Sequence, residues 1–195
     1  MCCRHGYNHP HPPMTTEESN EERWYVMRVY KNEKQAEEEL SAKEGLAYFI
    51  PKRYAMRVYH GRKQPRLVPV IPSLVFVHAS RRRIVAFKKE RYNDLQFIVT
   101  SIDGRNHYLN VPDKEMESFI KVCDRYGENT RFYKPEEVHV EKGTRVRVHG
   151  GALDGVEGIF VRVAGKRSKQ LVVLLTGVMA VSATVEPEYL EIIQD

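Results

Sequence analysis

Hydrophobic positions along this chain change their spacing several times, and each change marks an element. The run WYVMRVY (24–30), rich in aromatic and β-branched residues, predicts a strand. EKQAEEELSAKEG follows with strong helix formers; Ala36 and Leu40, four apart, share one face, and the helix should end at Gly45. AYFIP is a second short apolar strand, stopped by Pro51. KRYAMRVYHGRKQPRLVPVI reads as a long β-hairpin turning near His60-Gly61. SLVFVHA is a buried strand, and RRRIVAFKKER a short helix with Ser80 as its N-cap and Ile84 and Phe87 facing inward. LQFIVTSIDGRNHYL gives a strand and a turn at Asp103-Gly104. The clearest helix begins near Pro112, where proline and the acids Asp113 and Glu115 suit a helix start. Met116, Phe119, Ile120 and Cys123 then recur at i, i+3, i+4, i+7, so one stripe is buried.

This order, roughly β-α-β-β-α-β with a final helix, predicts an α+β sandwich over 23–125 with helices on one sheet face. Residues 1–22 form a polar, turn-rich tail expected to be disordered, and 126–140, without sustained periodicity, are expected to be a linker. From 141 to 195, TRVRV, EGIFVRV, QLVVLL and AVSATV are short strands between Gly-rich or Lys/Ser-rich turns, which predicts a small SH3-like barrel.

Charge divides the chain in the same way. Net charge is +5, yet residues 22–123 hold 20 Lys+Arg against 12 Asp+Glu. The remainder is close to neutral, so the two parts are expected to meet different partners. The basic residues fall in two sets. The hairpin carries Arg57, Arg62, Lys63 and Arg66 with Lys52 and Arg53 and no acid, and the following helix opens on Arg81, Arg82 and Arg83. Tyr54, Tyr59 and His60 lie among the first set, where they can stack on unpaired bases.

Other chemistry is excluded by spacing. No run of about 18 apolar residues is present to span a bilayer. The start, MCCRHGYNHPHPP, lacks the apolar centre of a secretory signal, so a cytoplasmic protein is expected. Three cysteines make no disulfide framework, and Cys2, Cys3, His5, His9 and His11 lack the CxxC spacing of a metal site. No P-loop, GxSxG or HExxH signature occurs, so neither an enzyme, a cofactor nor a metal is expected.

Beginning at Gly143 the chain reads GTRVRVHGGALDGVEG, or G-x-x-V-x-V-x-x-G-x-x-x-G-x-x-G. Gly151, Gly155 and Gly158 allow positive φ and close backbone approach at a bend between barrel strands. The pattern resembles the KOW motif of transcription elongation factors and some ribosomal proteins. Upstream, the Trp-Tyr strand, F-I-P, the basic hairpin and I-P-S-L-V-F-V resemble, in order, the landmarks of the NGN domain of NusG-like factors. The resemblance covers about 24–192 and implies an NGN domain followed by a KOW domain in a monomeric transcription elongation or antitermination factor.

The resemblance further implies that the NGN domain binds the clamp helices of RNA polymerase through a patch matching Ile71, Pro72, Leu74 and Phe76. Arg28 falls where some paralogues carry an aromatic contact. These side chains are expected to open onto solvent, as an exposed apolar patch marks a protein partner, while Val75 and Val77 face the core. Glutamate at Leu74 is then expected to abolish polymerase binding with the fold intact. The hairpin and Arg81–Arg83 are expected to meet upstream DNA or nascent RNA, with Arg81–Arg83 also near the gate loop. The KOW domain is expected to recruit a second partner, a termination factor or a ribosomal protein.

The sequence departs from the family in two places. The usual F-P-G-Y or F-P-N-Y is I-P-S-L here, and Leu153 and Thr176–Met179 differ from the phenylalanine and F-G-R-x-T-P of NusG barrels. These departures point to a specialised paralogue of the polysaccharide-locus antiterminator type. The alternative is a ribosome-associated or free RNA-binding protein. Some paralogues fold the C-terminal segment as a helical hairpin; Gly143, Gly150, Gly151, Gly155 and Gly158 with β-branched strands favour a barrel.

Overall fold

The computed structural model describes residues 20–90, 94–126, 130–139, 142–163, 165 and 167–193. The expected tail, with Cys2, Cys3, His5, His9 and His11, lies almost wholly outside the described residues. The fold is α+β, with three helices and antiparallel strands throughout.

The first half alternates strands and helices as its periodicity requires. Strand β1 (Glu22–Val29) leads to α1 (Glu33–Ala42), whose first turn is capped by the Asn32 side chain accepting from the Gln35 amide at 3.1 Å. Strands β2 (Ala47–Phe49), β3 (Lys52–Tyr59), β4 (Arg62–Pro69) and β5 (Leu74–Ser80) follow. The Ser80 hydroxyl accepts from the Arg83 amide at 3.4 Å and starts α2 (Arg81–Glu90), which buries Ile84 and Phe87. Strands β6 (Leu95–Phe97), β7 (Val99–Ile102), β8 (Arg105–Tyr108) and β9 (Asn110–Val111) precede α3 (Asp113–Tyr126). Both sharp hairpins have two consecutive residues at positive φ, His60-Gly61 and Asp103-Gly104. That is the backbone a two-residue turn between twisted strands demands.

The first sheet runs β2-β5-β1-β6, with β9 also paired to β1. Its central strands are covered on both sides. Tyr25, Met27, Val75 and Val77 pack with Ala36 and Leu40 of α1 and Ile84 and Phe87 of α2. Val26, Leu74 and Phe76 point the other way, toward Met116, Phe119 and Val122 of α3. A ring as fully buried as Phe119 contributes roughly 1.5–3 kcal/mol.

The second sheet contains β10 (Arg131–Tyr133), β11 (Thr144–Val148), β12 (Glu157–Arg162), β13 (Lys169–Leu175), β14 (Met179–Ala183) and β15 (Leu190–Ile192). Their order is β10-β14-β13-β12-β11-β15. Residues 131–133, in the segment expected as a linker, thus pair with β14. Gly151 and Gly155 take φ of 68° and 79° at the bend between β11 and β12. Gly158 is required for a different reason: a Cβ there would stand 2.6 Å from the Val172 carbonyl oxygen on β13.

Helix α3 joins the two halves. Its Met116, Phe119 and Val122 belong to one apolar cluster with Leu153, Leu171, Val173 and Met179 of the second half. Residues 115, 118 and 121, one turn apart, make the polar contacts across this boundary. Glu115 accepts from the Thr176 amide and hydroxyl at 3.3 Å, and the Ser118 hydroxyl accepts from the Glu157 amide at 3.3 Å. The Lys121 ammonium donates to the Asp154 carbonyl.

Candidate partner-binding faces

Two surfaces of the first half hold the residues expected to bind partners, and the structure sorts those residues differently from the sequence. On the α3 side of the first sheet, Leu74 is 7% exposed and Phe76 is 0% exposed. The expectation that both open onto solvent is overturned. Phe76 lies 6.5 Å from the Phe119 ring, which also meets Phe49 edge-on at 6.3 Å. The physical reason is that β5 is interior to its sheet, and an unbroken apolar run is the mark of a strand covered on both faces. Glutamate at Leu74 would therefore attack the core and could not isolate a docking contact.

What stays open lies beside them. Arg28 is exposed on β1, opposite Leu74 in register and on the same face. Pro72 is exposed and Ile71 half-buried against the core. Between them Ser73 adopts φ 64°, and its amide donates to the Glu33 carboxylate. A left-handed position costs a residue with a side chain roughly 1–2 kcal/mol and suits glycine or asparagine. The resembling F-P-G-Y and F-P-N-Y segments have those residues at that place.

The second surface is the hairpin β3–β4, which pairs with no other strand. Its register sets Arg53 opposite Val68, Ala55 opposite Arg66, Arg57 opposite Gln64 and Tyr59 opposite Arg62. Opposed residues share a face, so Arg53, Arg57, Arg62 and Arg66 stand together. Lys63 does not join them. It lies opposite Val58, on the face that carries Tyr54, Met56, Pro65 and Leu67. Arg53 and Arg57, four residues apart, are separated by about 13 Å along the strand.

The arginines of α2 are only partly available. The Arg81 guanidinium lies 5.0 Å from the centre of the Tyr108 ring, which also stacks near Phe97 at 4.6 Å. Burial raises the Tyr108 phenol above its ordinary range, and the hydrogen-bonded Arg81 cation pulls it back. Arg83 reaches Glu22 at 3.2 Å and packs its guanidinium on Gly45. Arg82 alone of the three is exposed without a contact of this kind. Sequence reasoning missed these commitments because the partners lie far away in the chain.

Nothing in the described residues forms a catalytic or metal centre. No group of three His, Cys, Asp or Glu able to hold a metal occurs among them. Burial, reinforced by Asp124, pushes the Cys123 thiol far above its ordinary range, which makes it inert at neutral pH. No helix among them is long and apolar enough to cross a membrane.

This fold, with its two open faces and no catalytic cluster, is that of a binding protein. The family model described as "NusG: Transcription termination factor nusG" matches residues 22–120, more than half of the 195-residue chain. The chain belongs to the NusG family of transcription factors, whose members generally bind RNA polymerase and are not enzymes. No curated protein matches the chain.

Proposed function

We propose that this protein is an elongation or antitermination regulator that binds the polymerase clamp helices through residues 23–125, at the margin formed by Arg28, Ile71 and Pro72. The carrying observation is that margin: an exposed arginine and proline beside a half-buried isoleucine, on the family-matched half of the chain. Arginine is favoured as an interface anchor. Leu74 and Phe76 act from beneath, fixing the strand on which these residues stand.

The arginine face of the hairpin and exposed Arg82 then lie available to upstream DNA or nascent RNA. Residues 141–195 act as the KOW unit, with Gly151, Gly155 and Gly158 shaping its bend, and recruit a termination factor or ribosomal protein. Polymerase binding places the protein in the cytoplasm. The departures at 71–74 and 176–179 fit a specialised paralogue serving a polysaccharide locus.

The test is transcription by purified core polymerase across a pause and a terminator, with and without the protein. Altered pausing or read-through, lost with Arg28→Glu, supports the reading; an unaltered transcript pattern contradicts it. The hairpin's arginine face favours one other reading, a free or ribosome-associated RNA-binding protein. That protein would bind RNA alone, with affinity falling steeply as salt rises, and would ignore polymerase.

A further inference from the structure

The reading above leaves the other face of the hairpin unused. Nine large hydrophobic side chains are exposed among the described residues, and four of them share this face: Tyr54 (55%), Met56 (62%), Val58 (68%) and Leu67 (53%). They are therefore a patch and not a scatter, and exposed Pro65 extends it beside Met56. At the root of the hairpin the same face runs into a cavity of about 180 Å³. Leu67, Pro69 and Lys52 belong to both, and Leu40, Ile50 and Val75 line the depth. The rim acids are already engaged, Glu37 with the Lys52 ammonium at 2.5 Å and Glu33 with the Ser73 amide. The result is an apolar trough that deepens toward α1.

The surrounding charge selects the occupant. Residues 51–72 contain six cations and no carboxylate. Lys63 closes the far end of the apolar face, and long arginine side chains on the opposite face can reach round the ribbon's edges. A nucleic acid would set its phosphates on the arginine face and leave Met56, Val58 and Leu67 without partners. A second copy would stack two cation-rich ribbons with no acid between them. An apolar ridge bordered by carboxylates satisfies both features, and an amphipathic helix presents that ridge at i, i+3, i+4, i+7. We propose that the apolar face of β3–β4 and the cavity at its root form a docking groove for an acidic amphipathic helix of a partner protein.

Fluorescence anisotropy on the full chain tests this with a labelled designed helix, leucine along one stripe and glutamate on its flanks, and a twin with lysine for every glutamate. The glutamate helix should bind the protein about tenfold tighter than its twin, and about tenfold tighter than it binds the Met56→Ser/Leu67→Ser variant. Both substitutions are at exposed positions, and circular dichroism checks that the variant folds. Equal binding of the two helices, unchanged binding by the variant, or no binding at all overturns the proposal. So does a dimer in sedimentation, or nucleic-acid affinity, that the double substitution abolishes; either assigns the face to a different occupant.

Discussion

Strands β4 and β5 are neighbours in the chain, rich in apolar residues, and opposite in fate. β5 buries both its faces, Val75 and Val77 under α1 and α2, Leu74 and Phe76 under α3. β4, with β3, leaves both of its faces open, one apolar and one cationic. The difference lies in what covers them. The first strand is interior to a sheet clasped between helices, whereas the second has only its hairpin partner. Apolar content alone therefore does not locate a docking surface; the cover over each face does.

The largest effect expected is at Leu74. A glutamate there places an unpaired charge in the core shared by both halves, and should cost about 4 kcal/mol or more. Urea unfolding of Leu74→Glu beside Met56→Glu checks this. The Met56 variant should stay within about 0.5 kcal/mol of the parent, since its side chain is exposed. Two variants of equal stability would erase the contrast between the strands.

Next in size is Gly158→Ala. Its new methyl would meet the Val172 carbonyl, and a loss of about 2–3 kcal/mol is expected in the same measurement. Ser118→Ala removes the acceptor of the Glu157 amide between α3 and the second sheet, and should cost about 1 kcal/mol. Ser73→Gly relieves the left-handed backbone beside β5. It should raise the melting temperature slightly, a gain below about 1 kcal/mol, while leaving the hairpin's exposure unchanged.

Local features were legible. The Asn32–Gly45 helix, the paired turns at His60-Gly61 and Asp103-Gly104, and the stripe of α3 depend on residues a few positions apart, so periodicity and turn chemistry announce them. The fates of Leu74 and Phe76 depend on Phe119, more than forty residues later, and no local pattern distinguishes a covered face from an open one. Arg81 and Arg83 look like free cations in sequence; Tyr108, Glu22 and Gly45 claim them only once the chain has folded. β10 escaped notice because three residues, RFY, carry too short an alternation to read. The two-faced hairpin was half legible: its charges stood out, and its apolar face appeared only when the register paired Tyr54 with Leu67.

The account stands most directly on the open margin beside β5. Biolayer interferometry with immobilised core RNA polymerase, comparing the protein with its Arg28→Glu variant, measures it without reference to any transcript. The parent should bind and the folded variant should bind about tenfold or more weakly. A parent that does not bind polymerase, or a variant that binds as tightly as the parent, would contradict it.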